Sequence, residues 1–90
     1  MTREAVLNQL TTIIHQYLEV EIPETVTEES RLFDDLSIDS IMVLQLIVYI
    51  EEEFNVTVPE EDLDPSVFFT LGSLVTFIQQ LQAGSGRSTN

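Results

Sequence analysis

The chain has 90 residues, enough for one small domain, and its hydrophobic content of 43% indicates a folded core rather than a disordered acidic tail. Sixteen acidic residues against three basic ones give a net charge of −13, which argues against nucleic-acid binding and favours basic protein surfaces as partners. The absence of cysteine excludes disulfides, thiolate metal sites and a cysteine nucleophile.

The first predicted element is a helix from about Thr2 to Glu19, with Thr2 as its N-cap. Its apolar residues recur at the three- and four-residue steps of one buried helix face: Val6, Leu7, Leu10, Ile13, Ile14, Tyr17 and Leu18. A long connection, Val20–Asp39, follows, and structureless loops of this length are uncommon in compact domains. We therefore expect buried anchors along it, namely Val26, Leu32, Phe33, Leu36 and Ile38.

A second helix is predicted to start at Asp39 or Ser40, either of which can cap it, and to run to Glu53 or Phe54. The β-branched content of Ile41–Ile50 would also fit a strand, but the length of the apolar segment and the cap signal favour a helix. After the second helix, the alternating valines predict a short extended link. One helical turn should then begin near Pro59.

The last predicted helix begins near Thr70 or Leu71 and stops before Gly84, a plausible residue for a helix C-terminus. The inward-facing residues of this helix are Leu74, Val75, Phe77, Ile78 and Leu81. We expect one domain over residues 1–82 and a flexible C-terminal tail over residues 83–90. The predicted fold class is all-α: three longer helices plus one short helix, with a long loop between the first two.

The second helix has an unusual distribution of apolar residues. A core stripe consists of Val43, Leu46, Ile47, Ile50 and Phe54, spaced as on one helix face. The opposite side, called the outer face here, carries Ile41, Leu44, Gln45, Val48, Glu51 and Glu52. Half of this outer face is aliphatic, and an exposed apolar patch with a polar rim usually marks a partner site. Alternatively, a loop or the short helix covers it.

Ser40 lies at the first turn of the second helix, where unpaired backbone N–H groups and the helix dipole favour an attached anion such as phosphate. A plain N-cap is the alternative role. A serine hydrolase is improbable, because His15 is the only histidine and no nucleophile-elbow sequence surrounds Ser40. No segment fits an EF-hand loop, so we predict neither catalytic residues nor a metal site.

The segment "LFDDLSIDSIMVLQLIVYIEEEFNVTVPEEDL" resembles the central region of acyl carrier proteins, whose hallmark is Asp-Ser-Leu at the head of the second helix. Here the triplet is Asp39-Ser40-Ile41, and the resemblance extends over about residues 3–82. It implies a small acyl-carrier-like bundle in which a phosphopantetheinyl transferase attaches 4′-phosphopantetheine to Ser40, with Asp39 recognised by that transferase.

The resemblance further implies that the protein is no enzyme. It would carry an acyl or aminoacyl group as a thioester on the phosphopantetheine arm between a loading enzyme and a downstream synthase or transferase. Such enzymes dock on the second helix, which points to Ile41, Met42, Leu44, Gln45, Val48, Glu51 and Glu52 as contact residues. We expect a monomer with no nucleic-acid partner.

The departures from the family pattern bear on the pathway. Met42 and Gln45 stand where fatty-acid carriers usually have acids, and "LDPSVFFTLGSL" resembles stand-alone aminoacyl carriers such as the D-alanyl carrier protein. A carrier of polyketide or nonribosomal-peptide type is therefore preferred, although the Gly-Gly-His-Ser motif common in peptidyl carriers is missing. The alternative is an acidic helical docking module without a prosthetic group.

The chain shows no signal peptide, and Ile41–Ile50 is too short to span a bilayer, so we expect a cytoplasmic protein without membrane insertion. Met1 and the short tail favour a complete gene product over an excised domain.

Overall fold

A computed structural model describes residues 2–59, 61 and 63–88. Helix α1 spans Arg3–Tyr17, α2 spans Ser40–Glu53, a short 3-10 helix spans Pro65–Phe68 and α3 spans Leu71–Ser88. Within these residues the only β-type pairing is an isolated antiparallel bridge between Arg31 and Thr70. The predicted all-α fold of three longer helices and one short helix is therefore confirmed.

Helix α1 begins as predicted, because the Thr2 hydroxyl accepts a hydrogen bond from the Ala5 N–H at 3.1 Å. It ends at Tyr17, two residues before the predicted end. Leu18 is the C-cap, and Glu19 adopts the left-handed conformation with φ of 57°, which cannot continue a right-handed helix.

A single hydrophobic core joins the three helices and the long connection. Its buried side chains are Val6, Leu10, Ile13, Ile14, Leu18, Leu32, Leu36, Ile38, Leu46, Ile50, Phe54, Val56, Val58, Phe68, Leu71, Leu74, Val75, Phe77 and Ile78. Two expected core residues are instead largely exposed: Tyr17 at 45% and Phe33 at 47%. Tyr17 lies at the helix end beside α2, and Phe33 borders a surface cavity described below.

The long connection is held by anchors and by backbone hydrogen bonds. Leu32, Leu36 and Ile38 are buried as predicted, and Val26 is half-buried. The Ile38 N–H donates to the Leu32 carbonyl at 3.0 Å, closing the segment that leads into α2. The loop is therefore ordered by the core rather than by secondary structure of its own.

The predicted end of α3 needs correction, and the predicted short helix is only partly described. The helical turn expected near Pro59 falls partly on positions 60 and 62, outside the described residues, and Glu61 between them has 3-10 conformation. The 3-10 helix at Pro65–Phe68 is a further element, for which Asp64 supplies the N-cap. Helix α3 continues past Gly84 to Ser88, because glycine weakens a helix by about 1 kcal/mol without blocking it, and no proline follows. The domain boundary at residue 82 and the flexibility of 83–90 stay predictions.

Arg3, on α1, connects this helix to the long loop and to α3. Its guanidinium pairs with Glu28 (Nη2 to Oε1, 2.5 Å), and it donates to the Thr76 hydroxyl at 2.8 Å and to the Gly72 carbonyl at 3.0 Å. Gly72 itself approaches the loop closely, since its N–H donates to the Glu28 carbonyl at 2.7 Å. A Cβ at Gly72 would lie 2.9 Å from that carbonyl oxygen, so the close approach requires glycine.

This cluster predicts an acid-sensitive contribution to stability. Hydrogen bonds from Arg3, reinforced by its charge, lower the pKa of Glu28 against the opposing effect of desolvation. A folded-state pKa below the unfolded value stabilises the fold above the unfolded pKa, and this contribution is lost as the pH falls through the folded pKa. We expect Glu28→Gln to remove part of the fall in the free energy of unfolding below about pH 4.3. Urea unfolding across that pH range measures it; Glu29→Gln is the control, and equal pH profiles for wild type and Glu28→Gln would contradict it.

Of the helices in the described ranges, none combines the length and the apolar composition that crossing a bilayer requires.

Candidate functional site

The N-terminus of α2 is capped by Asp39, and this settles which of two residues is the cap. The Asp39 carboxylate accepts a hydrogen bond from the Met42 N–H at 2.9 Å, and the Asp39 carbonyl accepts from the Val43 N–H at 3.0 Å. Ser40 is therefore the first helical residue rather than the cap. Its side chain is left available for other chemistry.

Ser40 is exposed, and none of the described residues forms a hydrogen bond with its hydroxyl. The backbone N–H groups of Ser40 and Ile41 belong to the first turn, where helix geometry provides no intrahelical acceptor. An anion attached to the Ser40 oxygen would lie beside these N–H groups and the positive end of the helix dipole. The position fits a phosphate ester.

An apolar cavity of about 280 Å³ opens beside Ser40. It lies between α2, the loop and the 3-10 helix, and its lining residues are Phe33, Ser40, Val43, Leu44, Ile47, Leu63, Asp64, Pro65 and Phe68. The Asp64 carboxylate accepts hydrogen bonds from the backbone N–H and the hydroxyl of Ser66, which lower its pKa and keep it ionised. Apart from Ser40 and Asp64, the residues that line the cavity have apolar side chains.

The outer face of α2 remains open in the folded chain. The exposed fractions are 70% for Ile41, 64% for Leu44 and 50% for Val48, and Gln45 is exposed beside them. The loop and the 3-10 helix border this face without covering it, so the covered alternative is wrong for these side chains. Met42 is half-buried against the core and contributes less surface.

The three glutamates at the end of α2 differ in their environments. The Glu51 carboxylate accepts a hydrogen bond from the Val58 N–H at 2.8 Å, so it has a structural role at the edge of the outer face. The Glu53 carboxylate accepts from the Tyr17 hydroxyl at 3.4 Å. Glu52 and Glu53 are both exposed, and of the three acids only Glu52 has a carboxylate to which no described residue donates a hydrogen bond.

The end of α2 shows why its acids are tolerated. Asn55 adopts a left-handed conformation with φ of 56°, and the Val56 N–H donates to the Glu51 carbonyl at 3.1 Å. This pattern, a Schellman motif, satisfies a terminal carbonyl that the helix leaves unpaired. Backbone capping thus supports the terminus despite the unfavourable charge.

His15 has a structural contact at the end of α1. Its Nδ1 lies 3.1 Å from the Val20 carbonyl oxygen, an arrangement in which the ring nitrogen must be the donor. The open groove that His15 lines contains no part of Ser40.

Sequence reasoning missed several contributors to this region. Phe33, Leu63 and Phe68 line the cavity, and Tyr17 stacks on Tyr49 at the margin of the outer face. These contacts join residues from different elements, so periodicity within one helix could not reveal them. The Asp-Pro pair preceding Phe68 is a local signal that could have placed the 3-10 helix.

The N-cap role of Asp39 can be separated by experiment from the transferase recognition that the sequence resemblance predicts for it. Asparagine caps helices about as well as aspartate, so Asp39→Asn should change the free energy of unfolding by less than about 0.5 kcal/mol, whereas Asp39→Ala should lower it by about 0.5–2 kcal/mol. We expect the asparagine variant to be labelled more slowly by a phosphopantetheinyl transferase. Urea unfolding and labelling rates measure the two effects. If the asparagine variant were labelled at the wild-type rate, the recognition role would be contradicted and the N-cap role would stand.

The chain is similar to proteins of known type along nearly its whole length. The family described as "Phosphopantetheine attachment site" matches residues 8–81. Acyl carrier protein AsbD of Bacillus anthracis is 45% identical over 82 residues, covering 91% of this chain and 90% of AsbD. An acyl carrier protein of Rhodococcus erythropolis is 34% identical, covering 99% of this chain and 94% of the relative.

Solved structures agree with this similarity. The acyl carrier protein of Enterococcus faecalis superposes with a TM-score of 0.66 at 33% identity, covering 90% of this chain and 99% of the other. The holo acyl carrier protein of Nitrosomonas europaea superposes with a TM-score of 0.61 at 28% identity, covering 87% of this chain and 92% of the other.

Proposed function

The chain belongs to the acyl carrier protein family, and on that premise we propose that Ser40 is the residue that bears the covalent phosphopantetheine group. Members of this family are carriers rather than enzymes, and the group is part of their function. The observation that supports Ser40 is its exposed hydroxyl at the first turn of α2, unbonded among the described residues and next to an apolar cavity.

The residues around Ser40 suit the two ends of the arm. When bound, phosphopantetheine supplies the thiol that holds an acyl or aminoacyl group as a thioester, a thiol that this cysteine-free chain lacks. The first-turn N–H groups of α2 would face the phosphate. Phe33, Ile47 and Phe68 offer an apolar wall to the rest of the arm or to its cargo.

The partners proposed for this carrier are a phosphopantetheinyl transferase, a loading enzyme and a downstream synthase or transferase. Ile41, Leu44 and Val48 are the contact residues that exposure supports best, because they form an uncovered aliphatic stripe on the outer face. Among the glutamates, Glu52 is preferred over Glu51, whose carboxylate already binds the Val58 N–H.

We further propose that the cargo belongs to a specialised pathway of polyketide or nonribosomal-peptide type, with the other proteins of that pathway in the cytoplasm. The support is that half of the outer face is aliphatic, and that Gln45 on this face and Met42 beside it stand where fatty-acid carriers usually have acids. Some relatives are also named for a dedicated process: a relative from Mycobacterium leprae, 34% identical, is a meromycolate extension acyl carrier protein. A docking module without a prosthetic group would leave the phosphopantetheine family match unexplained.

Intact-mass spectrometry tests the proposed attachment. The purified chain is incubated with coenzyme A and a phosphopantetheinyl transferase of broad specificity, and we expect a gain of one phosphopantetheine. Fragmentation of the modified peptide should place the group on Ser40 and not on Ser37, the nearest other serine. A chain that gains no mass, or gains it at another residue, would overturn the proposal.

A further inference from the structure

Two tyrosines from different helices form a stacked pair at the margin of the outer face. The rings of Tyr17, at the end of α1, and Tyr49, on α2, lie 4.3 Å apart between centroids with an interplanar angle of 14°. Tyr17 nevertheless keeps 45% of its surface exposed. On the α2 surface, Tyr49 is next to Gln45, four residues earlier, and to Glu52, three residues later. The pair therefore widens the outer face towards α1.

The surroundings of this pair are negatively charged. The charge of Glu53 is the main cause of a raised pKa of Tyr17; partial burial, the hydrogen bond from the Tyr17 hydroxyl, Tyr49 and the charge of Glu52 add to it. Arg3 and Arg31, which form the ion pairs of the described part of the chain, bind Glu28 and Asp34 instead. Within the described residues, Glu52 and Glu53 therefore have no cationic partner. The negative potential of their carboxylates extends to the stacked tyrosine rings.

We propose that Tyr17, Tyr49, Glu52 and Glu53 bind an arginine side chain presented by an enzyme that docks on the outer face of α2. A guanidinium is planar and weakly hydrated, so it stacks on a tyrosine ring while its N–H groups pair with carboxylates. A lysine ammonium is more strongly hydrated and cannot stack in this way. This inference rests on the proposed carrier function, because it assumes that enzymes dock on α2. It adds Tyr17 of α1 to the contact residues and specifies a guanidinium as the group that they recognise.

The preference for arginine can be measured by NMR titration of the purified chain. The probes are a short peptide with two arginines separated by alanines and a counterpart with two lysines. We expect the arginine peptide to bind more tightly and to shift the ring signals of Tyr17 and Tyr49. Equal binding of both peptides, with shifts spread over all acidic surfaces, would overturn the proposal. Shifts of the same signals on raising the protein concentration without peptide would assign the site to a second copy of the chain, and would also overturn it.

Variants of Tyr17 distinguish the ring from the hydroxyl. Tyr17→Leu should weaken binding of the arginine peptide about two- to fivefold, as expected for one exposed cation–π contact. Tyr17→Phe keeps the ring and should bind as wild type does. Glu24→Gln, an exposed acid in the loop, is the matched charge control for Glu52→Gln, and only the latter should weaken binding. Circular dichroism verifies that each variant is folded, and wild-type affinity in folded Tyr17→Leu would contradict the site.

Binding of the arginine peptide should not depend on the prosthetic group. Ser40→Ala should bind the arginine peptide as wild type does, and Tyr17→Leu should still be labelled with phosphopantetheine. Loss of labelling in the wild-type chain would therefore count against the proposed function, whereas loss of arginine preference would count only against this site.

Discussion

Ser40→Ala is expected to abolish the gain of phosphopantetheine completely. The transferase needs a hydroxyl oxygen to form the phosphodiester, and a methyl group offers none. The fold should persist because Asp39, not Ser40, caps α2, and the exposed side chain packs against little. We expect the free energy of unfolding to change by less than about 0.5 kcal/mol. Intact mass after transferase treatment measures the loss, and urea unfolding measures the stability.

The matched control for this loss is Ser37→Gly. Ser37 is also exposed, and its φ of 57° suits glycine, so the change removes a nearby hydroxyl without straining the backbone. This variant should be labelled as wild type is. If Ser40→Ala were labelled, or if Ser37→Gly were the only variant that lost labelling, the attachment site would be a serine other than Ser40.

Leu46→Ala is expected to cause the largest loss of stability among changes in α2. Leu46 is fully buried, with 0% of its surface exposed, and truncation leaves a cavity in the core. Such substitutions lower the free energy of unfolding by about 2–5 kcal/mol. A domain of this size has a total stability on the order of 5–10 kcal/mol, so much of it would be lost. Urea unfolding of the purified variant, followed by circular dichroism, measures the change.

The same substitution two residues earlier provides the control. Leu44 lies on the outer face with 64% of its surface exposed, so Leu44→Ala should change the free energy of unfolding by less than about 0.5 kcal/mol. Similar losses for the two variants would mean that α2 does not divide into a core face and an outer face, and the docking proposal would lose its basis.

The division of α2 into a core face and an outer face could be predicted, because it depends on the spacing of residues within one helix. Leu46 and Ile50 recur at helical spacing and are buried, whereas Ile41 and Leu44 fall on the other side and are exposed. The sequence leaves two candidates for the N-cap of α2, Asp39 and Ser40, since both residue types suit a helix N-terminus. Only the hydrogen bond from the Met42 N–H distinguishes them.

Features that depend on tertiary contacts could not be predicted. Glu51 has the pattern of a solvent-facing acid, and only the folded chain places the Val58 N–H 2.8 Å from its carboxylate. Phe33 has the composition of a core residue, but it lies at the rim of the cavity beside Ser40. Hydrophobic periodicity indicates that a helix face is apolar. It does not indicate whether the rest of the chain, the cargo or a partner protein covers that face.

The cluster at Arg3 has a consequence for the order in which the chain can mature during synthesis. Its partners Gly72, Thr76 and Gln79 are 69, 73 and 76 residues further along the chain. Contacts of such high sequence separation form only after the intervening loops have closed, and on the ribosome only after α3 has emerged. The tertiary contacts of Arg3 with α3 are therefore among the last to form, although the local N-cap of α1 at Thr2 does not depend on them. A nascent chain that exposes Ser40 before α3 has emerged would therefore present the proposed attachment site on an incompletely folded domain.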